Sequence, residues 1–141
     1  MKKIVDPKNA RSREYKEVIK TIVDKGQCPF CSDNFRYHKN PILKKSDGWI
    51  ITESSWPYQN TQHHFIVLNL ASHKENFSEL TVNDFNYVRR LVNWATKKFR
   101  LQGGALAMRF GGTEWTGATV CHLHFHLIVP KKGKTVSFPI G

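Results

Sequence analysis

The stretch Gly117-Ala118-Thr119-Val120-Cys121-His122-Leu123-His124-Phe125-His126-Leu127-Ile128-Val129-Pro130 constrains this chain more than any other. Side chains on a β-strand alternate between faces with a period of two. The pattern predicts a strand over Val120–Val129, closed by Pro130, with Cys121, Leu123, Phe125, Leu127 and Val129 on a core face. Val120, His122, His124, His126 and Ile128 then share the other face, their imidazoles roughly 7 Å apart along the strand. Such a row serves as a solvent face, chelates a metal, or supplies a near-neutral imidazole that attacks an electrophile while its neighbours hold the developing charge. Just upstream, Gly117-Ala118-Thr119 offers backbone N–H groups and a hydroxyl, which suit phosphate oxygens.

The rest of the chain supplies partners for that strand. Residues 11–24 place Tyr15, Val18, Ile19, Ile22 and Val23 on one helical face, and Gly26 is a natural stop. Cys28 to Asn40 reads as an irregular knuckle rich in turn residues. Ile42–Lys45 and Trp49–Glu53 flank Ser46-Asp47-Gly48, a hairpin turn. His64–Leu70 is a nearly continuous apolar run, the mark of a central strand. Thr81 can cap a helix to about Leu101, with Phe85, Val88, Leu91, Val92, Ala95 and Phe99 on its apolar face. Ala105–Phe110 is a strand, and a loop spans Gly111 to Gly117. Helix, strands, helix, strands is an α+β order, an antiparallel sheet packed by helices.

Charge and cysteine usage narrow the partners. The 141 residues fit one domain. Lys and Arg number 22 against 11 Asp and Glu, a net +11 that favours anionic partners: nucleotides, nucleic acid or an acidic surface. No run approaches the roughly 20 apolar residues of a membrane span. The first residues, Met-Lys-Lys-Ile-Val-Asp-Pro-Lys, lack the apolar core of a secretory signal, so cytoplasmic placement is expected. Cys28-Pro29-Phe30-Cys31 reads as half of a tetrahedral zinc site, or as a redox pair without the βαβ pattern such a pair usually keeps. Cys121 falls on the core face. The other ligands come from His38, His63, His64, His73 or the strand histidines, and spacing alone does not choose among them.

At His122-Leu123-His124-Phe125-His126-Leu127-Ile128 the chain resembles the histidine triad (HIT) superfamily, whose signature His-φ-His-φ-His-φ-φ, with φ apolar, is complete here. Gly117-Ala118-Thr119-Val120-Cys121 matches the segment that commonly precedes it, and the resemblance spans roughly residues 28–130. It implies a HIT-like α+β fold with a five-stranded antiparallel sheet, and a homodimer. It divides the chain into a basic N-terminal helical extension, 1–27, and a HIT domain, 28–141. His124 would be the nucleophile, attacking the α-phosphorus of a nucleotide to form a nucleotidyl-phosphoramidate. His126 would contact the phosphate or leaving-group oxygen and assist proton transfer. Thr119, with Gly117 and Arg109, would hold phosphate. One branch, which includes galactose-1-phosphate uridylyltransferases, carries a structural zinc, and its ligand pattern maps onto Cys28, Cys31, His73 and His122.

Three positions depart from the family pattern. The ribose-binding carboxylate many HIT proteins carry falls near Trp56, and the nearest acid is Glu53. Met108-Arg109-Phe110-Gly111-Gly112 replaces the usual Asn segment, and Ala118 replaces Gln. Trp56, Trp115 and Tyr58 are candidates to stack on a base, and His63-His64 reads as a strand-entry pair. The expected function is a nucleotide hydrolase or nucleotidyltransferase acting on dinucleoside polyphosphates, phosphoramidates or adenylated molecules. The alternatives are removal of 5′-adenylate from DNA, as in aprataxin-like proteins, and a non-catalytic nucleotide-binding module.

Overall fold

The computed structural model describes residues 3–10, 12–24 and 26–141, with all their side chains except those of Arg36 and Tyr37. Lys2, Arg11 and Lys25, part of the basic N-terminal charge, lie outside the described residues, as does the expected first residue of the helix over 11–24.

Five strands form one antiparallel sheet: β1 (Ile42–Ser46), β2 (Trp49–Glu53), β3 (Thr61–Asn69), β4 (Ala105–Met108) and β5 (His124–Pro130). Their spatial order is β1-β2-β3-β5-β4, so the apolar run of β3 is indeed central. Asp47 and Gly48, with φ of 46° and 77°, make the two-residue turn between β1 and β2. Positive φ at both centres matches the right-handed twist of the strands it joins.

Helix α1 spans Arg13–Asp24, α2 spans Val82–Lys98, and α3 is a single turn at Thr113–Thr116 inside the expected loop. Thr81 caps α2 and exchanges hydrogen bonds with Asp84. Asp84 also accepts the indole N–H of buried Trp49 at 2.9 Å, which ties the start of α2 to β2. The face of α2 carrying Val88, Leu91 and Ala95 packs on Trp49, Ile51, Phe65, Val67, Phe125 and Leu127 to form the main core. Burial of each large side chain there contributes roughly 1.5–3 kcal/mol. The helix stops at Lys98 rather than Leu101, because Arg100 takes φ of 50° and turns the chain toward β4.

The histidine strand is shorter than its alternation suggests. Only His124–Pro130 pairs with β3 and β4. Upstream, the backbone is taken by other partners. The Leu123 N–H donates to the Lys74 carbonyl and the Cys121 N–H to the Ile4 carbonyl, while Val120 bridges Val5. The Asp6 N–H donates to the Thr119 carbonyl at 2.8 Å. The N-terminal segment thus lies along residues 119–121, and α1 buries Ile19 and Ile22 against Val5. Val23, expected on the same face, is 40% exposed.

Candidate active site and metal centre

The face of the sheet opposite α2 holds the chemistry. In the β3–β5 register Leu68 lies opposite His124, Ile66 opposite His126 and His64 opposite Ile128. Phe65 and Val67 are in the core, so the period of two puts His64 on the histidine face. The sequence reading offered His64 as a metal-ligand candidate or a strand-entry residue, and the structure sets it instead against His126. The parity of β3 carries the signal that could have found it.

Backbone partners fix where the protons sit. The Nδ1–H of His124 donates to the His122 carbonyl at 2.7 Å, which leaves the lone pair on Nε2. His64 accepts the Tyr58 N–H on Nδ1 at 3.0 Å, so its proton is on Nε2. That proton faces Nδ1 of His126 at 2.8 Å. Nε2 of the same ring meets Nη1 of Arg109 at 3.4 Å, so two donors face the single lone pair of a neutral His126. The lone pair on His124 Nε2 thus belongs to a ring whose centre is 4.8 Å from that of His126, with the donors of Arg109 on the far side of His126. Burial, and then the charge of Arg109, hold His124 at about 4. Its imidazole is neutral at pH 7.

Arg109 is 7% exposed and has no carboxylate partner among the described residues. Its Nε donates to the Pro139 carbonyl at 2.9 Å, and Nη2 to the same oxygen and to the Tyr58 hydroxyl. A buried cation balanced only by neutral oxygens favours an anion beside it. These groups border a cavity of about 640 Å³ that His124, His126, Thr119 and Arg109 line. Tyr15, Ile19 and Ile22 of α1 wall it too, together with Phe30, Ile66 and Leu68. Gly117, with φ of 68°, ends α3 just before Thr119. Of the three aromatics considered for stacking on a base, Tyr58 and Trp56 line the cavity. Trp56 already stacks on Tyr15 at 5.0 Å, with the Lys39 ammonium 3.7 Å from its ring centre. Trp115 is 80% exposed.

His64 gives the site a pH signature. Burial, with Arg109 adding to it, lowers His64 from 6.5 to about 4. Below 6.5 the unfolded chain binds the proton that the fold refuses, so this contribution to stability is full above pH 6.5 and is lost as pH falls toward 4. Between pH 7 and pH 5 that amounts to about 2 kcal/mol. Urea unfolding of His64→Gln should show a loss over that interval smaller by this amount than in the wild type.

The second centre lies at the other end of the histidine run. Single donor atoms of Cys28, Cys31, His73 and His122 all fall within 4.8 Å of one another. Nδ1 of His122 is 3.1 Å from Nδ1 of His73 and 3.5 Å from Sγ of Cys28, and Cys31 Sγ is 3.4 Å from His73 Nδ1. A zinc tetrahedron built from the usual bond lengths has edges of about 3.3 Å (N–N) and 3.6 Å (S–N). Nε2 of His122 faces the Asn69 carbonyl at 2.8 Å, and Nε2 of His73 faces the Glu75 carboxylate at 3.0 Å. Both Nδ1 lone pairs then converge with no proton between them, an arrangement that calls for a cation. Burial, with Cys31 close by, pushes the Cys28 thiol up to about 12, so without a cation it stays protonated. The donor set fits zinc in a closed structural site. Cys121 is apart from it, buried, with its thiol 3.4 Å from the Gly111 carbonyl.

No protein-family model matches the chain, and no curated protein matches it. Solved structures do. A HIT family hydrolase from Clostridium thermocellum superposes with a TM-score of 0.58 at 20% identity, over 77% of this chain and 95% of that one. A zinc-bound histidine triad family protein from Mycobacterium smegmatis gives 0.58 at 17% identity, over 82% and 84%. A member of the HIT family from Bacillus subtilis gives 0.60 at 24% identity, over 82% and 80%. With its five-stranded α+β sheet, its complete triad and its Cys-x-x-Cys metal group, the chain has the histidine triad fold.

Proposed function

We propose that the protein is a nucleotide hydrolase or nucleotidyltransferase that works through a covalent nucleotidyl-histidine on His124. The observation that carries this reading is the tautomer of His124, whose Nδ1–H is held by the His122 carbonyl so that a neutral Nε2 is free to attack. In the first half-reaction the Nε2–phosphorus bond forms at the α-phosphate and the bond to the leaving group breaks. The departing atom takes a proton from the imidazolium form of His126 that a bound phosphate favours, which leaves that ring neutral. In the second half water attacks phosphorus, the phosphorus–nitrogen bond breaks, and a proton from water returns to His126. Arg109 and Thr119 hold the phosphate oxygens, and the guanidinium offsets the charge that builds up there. Gly117, expected to share that task, instead gives its N–H to the Thr113 carbonyl and does not line the cavity.

Zinc on Cys28, Cys31, His73 and His122 supplies, when bound, a closed cross-link. His122 joins the two centres: its ring belongs to the metal group, and its carbonyl orients the nucleophile. The catalytic unit is residues 28–141, and the extension 1–27 contributes the α1 wall of the cavity. Intact-protein mass spectrometry tests the reading, after brief incubation with a panel of nucleotides and an alkaline quench. A nucleotidyl adduct that maps to His124 is the expected result. No adduct in either the wild type or His126→Ala, with nucleotide still bound, would leave a binding module instead.

A further inference from the structure

After β5 the chain turns at Gly133 and runs back across the mouth of the site. The Lys131 N–H donates to the Asn60 carbonyl, and the Asn60 side chain to the Thr135 carbonyl. Phe138 then stands with its ring centre 5.1 Å from that of His126 and 6.0 Å from that of Tyr58. The Arg109 guanidinium lies 4.0 Å over the same ring. The Pro139 carbonyl takes the Nε and Nη2 donors of Arg109. A Cβ on Gly117 would stand 2.6 Å from the oxygen of Gly141, so the segment also covers the turn that leads into Thr119.

Two features separate this segment from an ordinary wall. Side chains rather than a strand hold it: among the described residues no backbone–backbone hydrogen bond anchors residues 135–141, and Ser137, Pro139 and Ile140 are exposed. It is also placed against the chemistry, since Ser137 and Pro139 line the same cavity as His124. The carbonyl of Pro139 takes Nε and Nη2 of Arg109 and leaves Nη1, on the His126 side, for an α-phosphate; a second phosphate group would need the donors that Pro139 holds. Phe138 lies against His126, the ring that faces the leaving group in the covalent reading.

On that reading we propose that residues 137–139 are a strap that sets the range of leaving groups. A nucleoside 5′-monophosphoryl compound with a small leaving group, such as an amine, fits in front of Phe138. One whose leaving group is a second nucleotide must lift the strap, giving up the Arg109–Pro139 hydrogen bonds and the Phe138 contacts. Part of its binding energy goes to that displacement, which raises KM.

The test compares kcat/KM for adenosine 5′-phosphoramidate and diadenosine tetraphosphate in the wild type, in Phe138→Ala and in a chain stopped after residue 136. The wild type should favour the phosphoramidate by about 100-fold or more. Stopping at 136 should cut that preference by about tenfold or more, through a lower KM for the dinucleotide, while phosphoramidate turnover stays within about threefold. Phe138→Ala should shift it the same way by a smaller factor, which guards against a truncation that harms folding. An unchanged preference, or an equal loss on both substrates, would overturn the strap and leave the nucleotide reading standing. No turnover and no His124 adduct with either substrate would overturn that reading, and the strap with it.

Discussion

Replacing His124 by alanine should lower kcat/KM for any nucleotide substrate by about 10⁴-fold or more, with zinc content and melting temperature close to wild type. On the covalent reading the other groups of the site position the phosphate, move a proton or stabilise charge, so no second nucleophile takes over. Among the described residues its ring hydrogen-bonds to the His122 carbonyl and packs edge-on against Phe30 at 5.0 Å. The variant therefore leaves a small gap on the cavity wall rather than a hole in the main core. Steady-state kinetics, metal analysis and a thermal melt on one preparation check all three parts. Full activity in the variant would rule out covalent catalysis at this residue.

Replacing Cys28 by serine should empty the metal centre and destabilise the whole chain. Structural zinc contributes apparent binding free energies of roughly 10–16 kcal/mol in small domains. Folded domains are stable by only about 5–15 kcal/mol in total. Loss of a ligand should therefore lower the melting temperature by more than about 10 °C, or leave the chain unfolded. A strong chelator should do the same to the wild type, and added zinc should reverse it. Activity should fall along with stability, because His122 ligates through its ring and orients His124 through its carbonyl. A stable, active Cys28→Ser protein without metal would show that the four donors are not a structural zinc site.

The parts of the site legible in the sequence were those with a periodic signal. The alternation around His124 placed Phe125 and Leu127 in the core and the triad on one face, and the β3–β5 register agrees for His124 and His126, while His122 lies ahead of the strand. The same alternation overstated the strand. Residues 120–123 keep an extended-looking pattern but bond to Ile4, Val5 and Lys74, contacts that no local rule reveals. His64 was hidden by its neighbour: two histidines at a strand entrance read as polar edge residues until the buried Phe65 and Val67 fix which one faces inward. Phe138 and Pro139 carry no period at all, and only the turn at Gly133 brings them back to Arg109. The one-turn helix α3 has too few residues to show a pattern.

The bridge between Val5 and Val120 also bears on how the chain reaches its native state. Contacts between residues so far apart in sequence form late and slowly, since nearly the whole chain must be ordered before they close. Three of the four metal donors are present once synthesis passes His73, whereas Thr119 and Gly117 must wait for the last strand to meet the first residues. The segment from Gly117 to Val120 should thus be the final part to settle, and the first to open when the native protein fluctuates. Extra residues fused ahead of Ile4 would act on that segment before they affected the sheet. An affinity tag is therefore better placed where it does not pull on this bridge.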